Sequence, residues 1–353
     1  MARQAVFYVS VGGKDVSGSL EPYVESITIT DASGSTSDAA EIELNDADGQ
    51  ILLPPKGTPI SIGLGWAGEG TMVSFEGVVD TTPSQGGRGE GTRLSITAKS
   101  ADQNGKLKER RQRHKDKGKL KDVAEAWGKD AGLSSVHIDE SLGNVERDYW
   151  AMLGESYTEW GVRIAAELGA TFKVAGDKAA MVPRNAGKSA SGKSLPTIYA
   201  TKPGNLIAWR ISPTEDAHRW QKYEVSWYDA KQAKHRKETV EVKPEEGSDG
   251  PPAPKAGHVH RFRAASKDAA TARAKSAKAD AERESGSGSI TIDGDPSAQA
   301  EALCILAGTR DGVDGTYRID TAKHSLSRGS GYICELTLKQ PQGDAGKDKR
   351  GSK

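Results

Sequence analysis

The chain has 353 residues, of which 35% are hydrophobic and 41 are glycine, and its 49 lysines and arginines balance 49 acidic residues. That length predicts two to four domains. So thin an apolar content does not suit one large core; it suits several small β-rich units, some of which finish burying their surface against other chains. The charge balance excludes a global field that would gather nucleic acid or membrane, which leaves proteins as the expected partners.

The N-terminal stretch MARQAVFYVSVGGKD offers an apolar run of only about seven residues and no small-residue cleavage pattern, so neither a signal peptide nor a membrane anchor is expected, and synthesis in the cytoplasm follows. From Ala5 to Lys99 apolar residues alternate in six short runs: Ala5 to Val11, Val24 to Thr30, Ala39 to Asn45, Pro59 to Gly65, Met72 to Asp80 and Arg93 to Ala98. Alternation with Gly, Pro and Asp turns between the runs predicts a barrel or sandwich of half-wet strands. The turn Asp46-Ala47-Asp48-Gly49 resembles the start of a calcium loop but lacks the distal bidentate Glu, so a solvated turn is expected and no metal is assigned.

Residues 101 to 121 carry nine Lys or Arg against three acids. Such a run can hold phosphates through charge alone, but it lacks interleaved aromatics, so a solvated connector is expected and nucleic-acid binding through 106–121 is the alternative. Leu120, Val123, Ala124, Trp127 and Ala131 then recur at helical spacing up to Gly132. A second helix is marked more strongly. Ser156 and Glu159 form a capping box, Trp160, Ile164 and Leu168 recur every four residues, and Gly169 supplies the left-handed stop. Thr171 to Val174, the Gly176-Asp177 turn and Lys178 to Pro183 complete a small α+β unit.

Gly187-Lys188-Ser189-Ala190-Ser191-Gly192-Lys193-Ser194 satisfies the P-loop pattern by letter. That loop works only where a helix N-terminus follows, and Pro196 through Pro203 offers no apolar stripe, so a flexible linker is expected over 186–204 and no nucleotide at Lys193. Strands return at Leu206 to Ser212, Arg219 to Asp229 and His235 to Val242, with Trp220, Val225 and Trp227 as candidate core. Lys243 to Gly257 reads as an exposed loop. His258 and His260 share a strand face with no third ligand near them, so surface histidines are expected. An alanine-rich helix spans Ala264 to Glu284, and Ser289 to Ile292, Glu301 to Ala307, Gly315 to His324 and Tyr332 to Lys339 close the chain before a tail, 343–353, expected to be disordered. The two cysteines, Cys304 and Cys334, fall in expected strands and read as buried free thiols.

These residues also carry a resemblance. Tyr149, Glu155, Ser156, Arg163, Ile164, Ala165, Gly169, Ala170 and Phe172 match the signature of the phage late control D proteins, the tail or baseplate hubs related to the hub region of type VI secretion spike proteins. In order along the chain, Gly13-Lys14-Asp15-Val16, Ser37 to Leu44, Asp46 to Gly49, Leu53-Pro54, Leu64-Gly65-Trp66, Phe75 to Asp80, Gly294-Asp295-Pro296, Gly308, Val313 to Tyr317, His324 and Gly331-Tyr332 are similar too.

The resemblance implies a mainly β chain in which two tail-tube-like β-barrels, 1–100 and 205–342, flank an α+β domain at 101–185. It implies a structural protein, not an enzyme, with no catalytic, cofactor or metal site. It further implies a homotrimer in the virion tail tip or baseplate, assembled in the host cytoplasm, that joins a six-fold tail tube protein to a three-fold central spike protein. A tape-measure protein and DNA in transit through the channel would be neighbours, with no stable membrane association. The hub of a secretion or bacteriocin-like injection machine is the runner-up.

Overall fold

The computed structural model describes residues 3–34, 38–88, 91–100, 105–184, 187, 194–214, 220–229, 232–241, 256–261, 263–264, 266–348 and 350. The chain is mainly β. A fourteen-stranded sheet follows the path Leu206–Ser212, Ser287–Asp293, Gly331–Gln342, Gly315–Ser327, Val24–Ala32, Ala39–Asn45, Gly91–Lys99, Met72–Thr81, Pro59–Trp66, Ala5–Val11 and Lys14–Asp15, with Ser84–Gly87, Ile198–Thr201 and Leu303–Ala307 branching from it. Among the described residues no sheet closes into a barrel. Where two separate barrels were expected, the two strand-rich blocks are joined edge to edge, because Gly315–Ser327 is long enough to pair with Gly331–Gln342 on one side and to give residues 321–327 to Val24–Ala32 on the other. One apolar cluster runs through both blocks, from Val9, Ile27 and Leu94 to Ile290, Tyr317 and Leu338.

The blocks repeat each other. In the first, six strands in chain order lie in the sheet as second, third, sixth, fifth, fourth, first: Val24–Ala32, Ala39–Asn45, Gly91–Lys99, Met72–Thr81, Pro59–Trp66, Ala5–Val11. In the second the same order holds: Leu206–Ser212, Ser287–Asp293, Gly331–Gln342, Gly315–Ser327, Leu303–Ala307, Ile198–Thr201. Registers agree to the residue. Ala39 faces Lys99 as Ser287 faces Lys339, and the fifth and sixth strands slip at one shared bulge, Val79/Thr81 in one block and Ile319/Thr321 in the other. A second shared slip, Val24/Ser26 and Leu206/Ala208, opens the second strand of each. Only the first strand differs in sense, antiparallel to its neighbour in the first block and parallel in the second.

The α+β unit has its own cluster, with Trp127, Trp150, Tyr157, Trp160 and Phe172 packed ring against ring. The helix Tyr157–Leu168 begins on the expected capping box and ends at Gly169 with φ 66°, a conformation that glycine adopts without steric penalty. Helix Leu120–Asp130 starts without a side-chain cap. The basic segment is a strand instead of the expected connector: Arg111–Lys119 pairs with Glu146–Glu155, whose Trp150 and Met152 supply the buried face that the basic strand lacks. A third cluster holds Tyr223 and Val225 under Ala270 and Ala274 of the helix Lys267–Arg283, with Trp220 and Trp227 partly covered; Arg219 and Val242 lie outside the described residues. Of the stretch expected as an unstructured tail, residues 343–346 form a turn, Gly346 N–H donates to Gly312 O and Asp348 pairs with Arg310.

Candidate functional site

Asp46 Oδ1 accepts from Ile51 N–H at 3.1 Å and Asn45 Oδ1 from Ala47 N–H at 3.1 Å, so the calcium-like turn spends its oxygens on its own backbone. Residues 188–193 lie outside the described set. Gly187 O accepts from Leu195 N–H, and the first regular element afterwards is the strand Ile198–Thr201, where a nucleotide-binding loop needs a helix. His258 sits against the rings of Trp220 and Tyr223, and among the described residues no group of three His, Cys, Asp or Glu could hold a metal. In the basic segment Arg110 pairs with Glu159, Arg111 with Glu109 and Arg113 with Asp130, which offsets three of its nine positive charges. No helix of the described residues is long and apolar enough to cross a membrane.

Both cysteines are buried and free. Cys334 Sγ lies 3.2 Å from His324 Nδ1, which also meets Tyr332 Oη at 2.9 Å, while His324 Nε2 meets Ala298 O at 2.9 Å. A thiol beside an imidazole is a nucleophile's arrangement, yet burial pushes the Cys334 thiol up to about 12 and holds His324 below its usual range. Both residues are fully buried, so the trio pins the 294–298 turn and performs no chemistry on a solute. The sequence marked His324 as a strand residue and as part of the family resemblance, but did not show its pairing with Cys334.

What the fold does build is a joint between the blocks. Arg283, 5% exposed at the end of the long helix, donates to Glu301 Oε1 at 2.9 Å, Asp320 Oδ1 at 2.8 Å and Ser33 Oγ at 2.9 Å, tying the first block to the second. Lys173 of the α+β unit reaches Asp31 at 2.6 Å and Asp38 at 2.7 Å, beside a groove of about 1430 Å³. Two carboxylates share that one cation. Asp31, which also accepts Ala300 N–H, stays below the usual carboxylate range through Lys173 despite its burial, whereas burial lifts Asp38 to about 6. Trp66 Nε1 donates to Gly294 O at 2.8 Å and its ring lies 5.4 Å from that of Tyr332, so two motifs singled out far apart in the sequence meet here.

Among the open edges of the described sheets are those of two strands of the large sheet that have a single neighbour. Leu206–Ser212 pairs only with Ser287–Asp293 and exposes Ile207 (53%) and Trp209 (37%), the latter under Lys202 at 4.6 Å. Ser84–Gly87 pairs only with Gly91–Lys99, and all four of its residues are exposed. Unpaired edges of this kind seek another strand unless something covers them.

No protein-family profile matches the chain. It is similar to the probable baseplate hub proteins of Escherichia phage 186 (26% identity over 238 residues, 67% of this chain and 59% of the relative) and of Escherichia phage P2 (28% over 196 residues, 56% and 50%). The matched part thus spans between half and three-fifths of those relatives. Its fold is similar to the 43 kDa tail protein of prophage MuSo2 from Shewanella oneidensis (TM-score 0.68, 16% identity, 95% and 98% coverage). It is also similar to an E. coli component of the type VI secretion system (TM-score 0.51, 10% identity, 92% and 75% coverage). These relatives agree with the late control D resemblance read from the sequence.

Proposed function

We propose that this chain, a relative of the phage baseplate hub proteins, is a structural hub: a homotrimer at the tail tip or baseplate that joins a six-fold tail tube to a three-fold central spike. The observation that carries this reading is the internal repeat, two blocks of one strand order and one register in a single chain. Three copies present six like units on one side while remaining three-fold on the other, which is what an adaptor between those symmetries needs. In the assembled particle 1–100 and 205–342 act as tube-like barrel units, 101–185 is the peripheral α+β domain, 186–204 the linker between them and 343–353 the tail. The partners are the tube, spike and tape-measure proteins, with DNA passing through the channel; the role is not enzymatic.

Light scattering of the purified chain, with and without its spike, tests the reading. A particle of three times the chain mass is expected, and ring-shaped trimers in electron micrographs. A stable monomer under both conditions overturns it. The nucleic-acid alternative loses support from the pairing of Arg110, Arg111 and Arg113 with acids.

A further inference from the structure

The internal repeat identifies the strands that join neighbouring copies. Within one chain, the far half of the fifth strand of the second block pairs with the second strand of the first block: His324 opposite Ile29, Ser325 opposite Thr28, Leu326 opposite Ile27, Ser327 opposite Ser26. The shared bulges carry each of these positions into the other block. Thr321 corresponds to Thr81, so 324–327 correspond to 84–87; Val24 corresponds to Leu206, so 26–29 correspond to 208–211. Those counterparts lie on Ser84–Gly87 and Leu206–Ser212, each of which has one neighbour and one open edge. Ile27, at the filled joint, is fully buried, while its counterpart Trp209 is 37% exposed; the difference is the missing neighbour.

We infer that Ser84–Gly87 of one copy pairs antiparallel with Leu206–Ser212 of a second copy of this chain, in the register of the internal joint. Ser84 then faces Ile211, Gln85 faces Arg210, Gly86 faces Trp209 and Gly87 faces Ala208. The backbone is aimed correctly for it. Pro83 O accepts from Ser95 N–H, so Pro83 turns its missing N–H inward and the alternating residues Ser84 and Gly86 present donor and acceptor outward. In the internal joint, Asp320 O accepts from Ser33 N–H, which places His324 and Leu326, the counterparts of Ser84 and Gly86, on the pairing side. Gly86 leaves the space over which the Trp209 ring lies. The contact is head-to-tail, so repeated rotation closes a ring or runs on as a filament. This deepens the trimer reading by naming its seam.

Disulfide trapping tests it. Gln85 and Arg210 fall between hydrogen-bonded pairs, where Cα atoms are about 4.5 Å apart, within reach of a disulfide. Both are exposed, so replacing them spares the core. Oxidised Gln85→Cys/Arg210→Cys protein is expected to run largely as a covalent trimer, while mixing the two single variants gives only covalent dimers. Gln85→Cys/Ser212→Cys, displaced by two residues, is expected to link several-fold less. A non-covalent trimer in which the matched pair fails to link, or in which Arg210→Cys links instead to Tyr8→Cys on the Ala5–Val11 edge, overturns the seam and leaves the hub reading intact. A matched pair that closes rings of another size keeps the seam and defeats the three-fold reading. A monomer with no link defeats both.

Discussion

The two strand blocks have the same order, two shared bulges and similar residues at the fifth and sixth strands, Val79-Asp80-Thr81 with Ile96-Thr97-Ala98-Lys99 against Ile319-Asp320-Thr321 with Leu336-Thr337-Leu338-Lys339, yet one connection sets them apart. Between the ends of its second and third strands, Ala32 and Ala39, the first block has a short connection of six residues, 33–38. The second block inserts there the sheet of Lys222–Asp229, Lys234–Glu241 and Gly257–Val259 and the helix Lys267–Arg283. That helix ends on Arg283, which bolts the internal joint, so the insertion secures the seam inside the chain and leaves its counterpart to another copy. A shared scaffold has been given one fixed seam and one assembled seam. Asp80 and Asp320, equivalent by register, show the same division: Asp80 pairs with Lys56 and Lys99 near the surface, Asp320 with the buried Arg283.

The largest expected effect breaks the fixed seam. Arg283→Met leaves Glu301 and Asp320 without their buried partner, and urea unfolding should show a loss of ~3–5 kcal/mol, the range for stranding one side of a buried ion pair. Asp80→Ala, at the repeated position in the other block, should cost below ~1 kcal/mol, because partly exposed pairs are screened. Comparable losses would mean that the two sites are energetically alike despite their different burial.

The next effect sharpens the contrast between filled and open seams. Ile27→Ala should cost ~2–5 kcal/mol at any protein concentration, since its side chain is buried within the chain. Trp209→Ala should cost only ~1–2 kcal/mol in dilute solution, in proportion to its partial burial, and more as the concentration rises, because what remains of its apolar surface is covered only by a neighbour. Thermal melts over a hundredfold concentration range separate the two behaviours; a concentration-independent Trp209→Ala defect would remove that residue from the seam.

Much of the scaffold was legible because half-buried strands alternate. Ala5–Val11, Ala39–Asn45 and Leu206–Ser212 have the bounds the alternation predicts, and the Ser156 capping box with Gly169 located the Tyr157 helix. Arg111–Lys119 was not legible, since RQRHKDKGK has no apolar face; its sheet is anchored by the partner strand, whose Trp150 Nε1 donates to Gly118 O. Two like blocks were expected, but their shared register was hidden: it rests on bulges and pairing, to which sequence alternation is blind. For the same reason the joint residues Arg283 and Lys173 carried no signal, being single charges in an otherwise ordinary helix and strand, and Asp38 was marked only as part of the family resemblance, not as a partner of Lys173.

The smallest expected effect concerns the connection that the first block kept short. Asp38 stands at its end, shares Lys173 with Asp31, and is lifted by burial from 3.8 to about 6. A carboxyl whose folded value is raised binds its proton more tightly in the native state, so its contribution is fully present below about pH 4 and is lost as the pH climbs through 6. Asp31, held low by Lys173, works in the opposite sense: its contribution is present above the ordinary carboxylate value and lost on acidification. Because the two act in different windows, removing one reveals the other. Asp38→Asn should abolish a decline of ~1–2 kcal/mol between about pH 4 and 6.5 while sparing the acid-side loss that Asp31 sets. Denaturant midpoints measured across that range decide the matter. An unaltered slope would mean that Asp38 is ionised throughout and that Lys173 serves both carboxylates equally; a flattened one would show that the end of the first block's short connection is held to the α+β unit by a single shared charge, where the second block uses a whole helix.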